Sequence, residues 1–306
     1  MPQPLAFFNG EFIPAHQARL PLWDAGFVLG ATVTEQLRTF RGQLFHLDHH
    51  IRRLRRSLEI TGLESPLSWA EFAQMADQLA RHNWSLGSSE SDLGLAILVT
   101  PGPYPTLAPA DASPEPAVYM HTYPLPFAHW AAKYANGQAL AISSVQQVPQ
   151  ACWPRELKCR SRMHYFLADR EVAARFPGAR ALLTDEHGQV TETATANLLA
   201  SFDGVSLVTP PRGQILPGVT LAAVEYLAEQ LGIPFVERNC TADDLRSAVE
   251  IITTSTPSCL LPVTRLDGRP VGAGRPGELY RRLVQAFCDW IRFDFVTQAT
   301  TLAARG

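Results

Sequence analysis

The sequence predicts an α+β protein in two parts, on three observations. Short apolar runs bounded by Gly, Asn or Asp alternate with stretches whose apolar residues recur at helical spacing. Start and stop signals frame the helical stretches. The segment 123–137, YPLPFAHWAAKYANG, breaks the periodicity with two prolines and a late glycine. It is expected to link an N-terminal part (1–123) to a C-terminal part (137–306), with residues 124–136 as the linker.

FFNGEFIP reads as a hairpin, because Asn9-Gly10 can supply the positive φ angles of a two-residue turn. EQLRTFRGQLFHL reads as a second strand pair around Arg41-Gly42. A helix is expected over 49–61: Ile51, Leu54 and Leu58 share a face, Asp48 caps the start and Gly62 ends it. Ser68 with Glu71 forms a capping box before a helix that carries Trp69, Phe72, Met75 and Leu79. LGLAILVT and PAVYMHTY read as buried strands. Beyond the expected linker come a strand over 138–145 and a helix over 161–175. Strands follow, joined by turns at His187-Gly188 and Asp203-Gly204. A helix over 219–231 is preceded by Pro217-Gly218 and closed by Gly232 and Pro234. VEIITTST is a strand, and 276–293 is the last expected helix.

Composition narrows the function. The chain is 46% hydrophobic and 18% charged, enough for a sizeable core and against disorder. A net charge of −3 opposes a dedicated nucleic-acid binder, although HHIRRLRRS is locally basic. No apolar run reaches membrane-spanning length, and the N-terminal MPQPLAFFNGEF lacks a signal-peptide pattern. Cys152, Cys159, Cys240, Cys259 and Cys288 are odd in number and scattered, as expected of reduced thiols in the cytoplasm.

Only two lysines occur, Lys133 and Lys158, in a chain with 26 Lys and Arg together. Lysine can lose its proton and attack a carbonyl to form a Schiff base, which arginine cannot. Lys158, within PRELKCRSRMHYFLADREV, is therefore a candidate for carbonyl chemistry. A Schiff base to pyridoxal phosphate (PLP) also needs phosphate donors and a carboxylate at the ring nitrogen. ILPGVTLAAVEYLAEQLG places a glycine before a helix start, whose free amides and dipole suit a phosphate. TTSTPS ends a strand with hydroxyls and amides. Arg52, Arg53, Arg55 and Arg56 offer cations, some of which form a solvated face, and TETATANLL sets Glu192 among small residues.

Five stretches in this order, LFHLDHHIRRLRRS, LKCRSRMHYFLADREV, VTETATANLL, ILPGVT and STPSCLLPV, make the chain resemble the class IV aminotransferases, the fold type IV PLP enzymes. That family includes branched-chain and D-amino acid aminotransferases and aminodeoxychorismate lyase. The resemblance runs from FFNGEFIP to about Val263. It implies a smaller N-terminal α/β domain, a larger C-terminal mixed-sheet domain, and a homodimer with both subunits contributing to each site. By the same resemblance Lys158 is the Schiff-base lysine and proton shuttle. Arg53, in the H-x-x-R-L pattern, binds the phosphate with Val219, Thr220 and Thr256. Glu192 meets the pyridine nitrogen and Leu216 packs on the ring. The implied reaction moves an amino group from an amino acid, with an apolar side chain favoured, to a 2-oxo acid in two half-reactions.

The chain departs from the family in two places. Branched-chain enzymes have a tyrosine five residues after the lysine; here that position is Met163, with Tyr165 two further on, so the partner of the ring hydroxyl stays open. The positions where D-amino acid enzymes place basic residues are Pro101, Thr106 and Ala108, and the branched-chain tyrosine and arginine become Ala96 and Leu98. A buried carboxylate needs a cation, which leaves Arg38, Arg160 and Arg162 as candidate substrate-binding residues. Without them, the pocket would take an amine that has no carboxylate. The lyase is the other alternative, since it shares every cofactor residue. No metal is expected: His49 and His50 are adjacent, so they cannot join His46 on one helix face.

Overall fold

The computed structural model describes residues 3–88 and 90–305. The chain divides into two units. The smaller contains the chain up to Leu125 together with Glu156–Ser161, and the larger contains Pro126–Arg155 and the chain from Arg162 onward.

The smaller unit is a six-stranded antiparallel sheet covered by helices. Strands β1 (Leu5–Phe8), β2 (Glu11–Pro14), β3 (Val33–Phe40), β4 (Gln43–Leu44), β5 (Leu93–Thr100) and β6 (Ala117–Pro124) lie in the order β2-β1-β6-β5-β3-β4. Both expected hairpins form, and in each the turn has two positive φ values: 46° and 99° at Asn9-Gly10, 51° and 75° at Arg41-Gly42. After the short helix α1 (Ala25–Val28) come α2 (Leu47–Thr61) and α3 (Trp69–Ser85). Ile51, Leu54 and Leu58 of α2 and Phe72, Ala76 and Leu79 of α3 pack on Leu37, Leu95, Ile97, Val118 and Met120. Gly62 closes α2 in the left-handed conformation, and Ser68 with Glu71 forms the expected capping box. The start of α2 differs from expectation. It begins at Leu47, behind a left-handed His46, and Asp48 lies inside the first turn. The Asp48 carboxylate is drawn to Arg52 at 3.1 Å, four residues on, and the cap position is taken by His46.

The expected linker is largely ordered structure. Phe127–His129 makes a single tight turn, and helix α4 covers Ala131–Asn136. Phe127, Ala131 and Tyr134 are buried. Their spacing of four and three puts them on one face, a helical signal masked by the flanking prolines.

The rest of the larger unit is a mixed sheet with helices. Its strands are β7 (Gln138–Ile142), β8 (Arg180–Thr184), β9 (Val190–Thr193), β10 (Asn197–Ser201), β11 (Leu207–Thr209), β12 (Phe235–Glu237), β13 (Glu250–Ser255), β14 (Cys259–Leu266) and β15 (Arg269–Pro270). The order is β12-β11-β10-β13-β14-β7-β8-β9, with β15 on β14. β7 runs parallel to β8 and β14, and β11 parallel to β12. Helix α5 (Met163–Arg175) packs Ala168 and Val172 against Ala141, Ala181 and Leu183 on one face. Leu140, Leu182, Leu198, Ile251 and Val263 fill the other. Helices α6 (Val219–Gln230), α7 (Ala242–Arg246), α8 (Glu278–Ile291) and α9 (Phe295–Ala303) complete the unit. α9 was not expected from the sequence. Asp294 caps it by accepting from Val296 and Thr297, and Phe295 and Ala299 are buried. No helix among the described residues is long and apolar enough to cross a membrane.

Candidate active site

Lys158 belongs to the smaller unit, although the sequence places it far beyond β6. Its segment is stitched to the start of β3. The Thr34 N–H donates to the Lys158 carbonyl (2.9 Å), Cys159 bridges Val33, and the Arg160 N–H donates to Thr32 O (2.8 Å). From the other side, the Lys158 N–H donates to Ser57 Oγ of α2 (3.1 Å). Ser161 Oγ donates to Gly30 O (2.7 Å), so the expected helix over 161–175 starts only at Met163.

The two faces of this sheet carry different chemistry. On the helix-covered face, fully buried Glu35 of β3 is gripped from α2. Arg53 Nε and Nη2 donate to its two oxygens at 2.6 and 2.8 Å, and His50 Nδ1 donates to Oε2 at 2.7 Å. Burial alone would raise the Glu35 carboxyl; the Arg53 charge and hydrogen bonds, aided by His50, hold it well below the usual carboxylate range. Burial also pushes the His50 imidazole down, and the Lys158 charge adds to that. Arg52, Arg55 and Arg56 instead meet Asp48, Glu59 and Glu156 at the surface, so they form the solvated face.

On the opposite face, register aligns three rows: Thr34 with Leu98 and Tyr119, Gln36 with Ala96 and His121, Arg38 with Gly94 and Tyr123. Arg38 therefore shares a face with Ala96 and Leu98, where branched-chain enzymes were expected to carry their polar pair. Gly94 makes room for Tyr123, whose Cζ would lie 2.2 Å from any Cβ there. Arg38 is 1% exposed; its Nε donates to Thr39 O and its guanidinium lies 4.1 Å over the Phe40 ring. Burial raises the Tyr123 phenol, and the charges of Arg160 and Arg38 oppose that rise. Arg162, in the larger unit, donates to Ala194 O and lies 4.6 Å over the Tyr165 ring.

In the larger unit, buried Glu192 of β9 takes hydrogen bonds on both oxygens. Tyr165 Oη (3.0 Å) and Gln147 Nε2 (3.2 Å) donate to Oε1, while Asn197 Nδ2 (3.1 Å) and the Leu216 N–H (3.3 Å) donate to Oε2. Gln147 also donates to Tyr165 Oη at 2.6 Å. Burial and the Glu192 charge push the Tyr165 phenol well above its ordinary value, so it stays a donor. Asn197 also donates to Leu216 O (2.9 Å), and a Cβ on Gly218 would lie 1.9 Å from its Oδ1. Only glycine lets the loop before α6 approach this closely. Val219 and Thr220 open α6, which has no side-chain cap, and Thr256 sits in the turn between β13 and β14. Thr220 Oγ1 and Thr254 Oγ1 are buried without a partner among the described residues.

The model of the amino-transferase class IV family matches residues 32–266. The chain belongs to this family. A D-alanine aminotransferase of Staphylococcus aureus is 30% identical over 291 residues, 93% of this chain and 97% of the relative. The branched-chain amino acid aminotransferase of Escherichia coli superposes with a TM-score of 0.83 at 26% identity, covering 94% of each chain. That of T.th., solved with pyridoxamine 5'-phosphate, shares the fold at a TM-score of 0.83 and 24% identity, covering 94% of this chain and 93% of that one. The enzyme is thus a fold type IV aminotransferase, and its cofactor is PLP. The residues present fit that group: a carboxylate oriented by neutral donors suits a protonated pyridine nitrogen, and two orphaned hydroxyls with an uncapped helix start suit a phosphate.

Sequence reasoning missed Glu35, Gln147 and Asn197, and took in Thr254 only as part of the TTSTPS stretch. Glu35 did leave a signal, a lone acid within VTEQLRTF, a run otherwise suited to burial. Gln147 and Asn197 left none, because amides are common in loops and at strand starts. Tyr165, left without a role at first, is committed to Glu192.

Proposed function

We propose that this aminotransferase moves the amino group of a D-amino acid with a small apolar side chain, D-alanine first, to a 2-oxo acid, with Lys158 as the amine that carries PLP. The observation that supports Lys158 most is its stitching: both its backbone groups are tied down, to Thr34 and Ser57, in a chain with one other lysine. A fixed backbone limits the search of a long flexible amine. The D-alanine aminotransferases among the relatives support the donor and disfavour the lyase alternative.

Bound PLP supplies an electron sink for negative charge at the substrate carbon. Lys158 Nζ would take the proton from that carbon and hold it for return, as general base and then acid. Glu192 would favour the protonated ring nitrogen, and Leu216 would pack on the ring. Arg53, the Val219 and Thr220 amides and Thr256 would hold the phosphate, with Glu35 and His50 fixing the Arg53 fork. Arg38 and Arg160 would receive the substrate carboxylate. Arg162 is spent on Ala194 and Tyr165, which leaves it a structural role.

The exposed strip of Leu20, Leu22, Phe27 and Leu29, up to 77% accessible, supports pairing with a second copy of the chain. The odd, scattered set of five cysteines suits a cytoplasmic setting.

The test is a donor panel with Lys158→Arg as control. D-alanine with 2-oxoglutarate should give pyruvate, L-alanine and chiral amines little, and Lys158→Arg none. Borohydride reduction followed by peptide mapping should find the cofactor on Lys158. Turnover confined to carboxylate-free amines would reject the donor assignment, and cofactor on Lys133 would reject the lysine.

A further inference from the structure

Two imidazoles and a carboxylate meet where β4 gives way to α2. His46 is left-handed (φ 47°), and its ring is braced edge-on by Phe45 at 4.2 Å between centroids. His49, three residues on, brings its Nδ1 to 3.2 Å from His46 Nδ1. Asp48 Oδ1 stands 3.9 Å from His49 Nδ1, while its Oδ2 holds Arg52 Nη1 at 3.1 Å. One ligand atom from each of His46, Asp48 and His49 lies within 4.8 Å of the other two. The adjacency of His49 and His50 argued against a histidine trio, and His50 does turn away, inward onto Glu35. Asp48 stands in its place.

We propose that His46, Asp48 and His49 form a surface site for a divalent transition-metal ion, for which Zn²⁺ is the probe. Two imidazole nitrogens on one tetrahedral Zn²⁺, each about 2.0–2.1 Å from it, stand about 3.3 Å apart. The observed 3.2 Å, within reach of a hydrogen bond between the rings, is close to that span. Asp48 reaches the ion with Oδ1 by a small side-chain rotation while Oδ2 keeps Arg52, which then orients the ligand from outside the coordination shell. With His49 and Asp48 exposed, water completes the shell. None of the three residues has a part in amino transfer, so the proposal stands or falls apart from that reading.

The test is equilibrium dialysis of chelator-stripped holoenzyme against Zn²⁺, with His46→Ala, His49→Ala, the double variant, and His187→Ala as an exposed-histidine control. The wild type should bind one Zn²⁺ per chain and melt at a higher temperature with it. Each single ligand variant should weaken binding by on the order of tenfold or more, and the double variant should lose the site and the melting shift. His187→Ala should match wild type, and zinc-free turnover of His49→Ala should be unchanged. Failure to saturate at one ion per chain, or the same affinity in the double variant, would overturn the proposal.

Discussion

Glu35 and Glu192 are both buried carboxylates on strands, one in each unit, and they are held by opposite means. Glu35 faces a guanidinium fork, Arg53 Nε and Nη2, with His50 closing the second oxygen. Glu192 takes four hydrogen bonds from groups without formal charge: a phenol, two amide side chains and a backbone N–H. A cation cancels the charge of the carboxylate it holds, whereas neutral donors orient a carboxylate and leave its charge to act on something else. The first arrangement makes a strut between β3 and α2. The second leaves a charge available, an arrangement that suits a protonated ring nitrogen.

The comparison breaks most visibly if the strut is cut. Arg53→Ala leaves Glu35 buried with its charge uncompensated, at a cost of about 3–5 kcal/mol. Urea denaturation of the cofactor-free protein reads it directly, and a loss below about 1 kcal/mol would erase the distinction from a surface pair. Acid comes next. The Glu35 carboxyl is lowered in the folded state, so its contribution is full above the ordinary 4.5 and drains away as pH falls below it. The His50 imidazole is lowered too, so the neutral ring contributes fully above 6.5 and loses ground below. Stability should therefore decline from about pH 6.5 downward and more steeply below about 4.5. Glu35→Gln should flatten the lower part of that decline, seen as melting temperature against pH. The smallest effect is on the other carboxylate: Tyr165→Phe removes one of four donors and should cost about 1 kcal/mol in the same denaturation.

Much of this was legible in the sequence for local reasons. The Asn9-Gly10 and Arg41-Gly42 hairpins, the Ser68–Glu71 capping box and the Gly62 stop depend on residues within a few positions of each other, and each formed. The features that were not legible depend on distant residues. Lys158 joins β3 through Thr34 and α2 through Ser57, each more than a hundred positions away, and no local pattern announces that partnership. Tyr165, Gln147 and Asn197 converge on Glu192 only because α5, the loop after β7 and β10 fold onto it. Asp48 misled because an acid near a helix start suits either a cap or an i,i+4 pair, and Arg52 decided between them.

The most direct test of the central claim is Glu192→Gln, compared with wild type for both folding and turnover. Glutamine keeps the shape and removes the charge. One of its polar ends must face donors, so stability should fall by about 1–3 kcal/mol, less than for Arg53→Ala, with PLP still bound. Turnover with D-alanine should fall much further, on the order of 10²-fold, because the charge that favours a protonated ring nitrogen is gone. Turnover within a few-fold of wild type, or a loss of activity explained wholly by lost folding or lost PLP, would contradict the account.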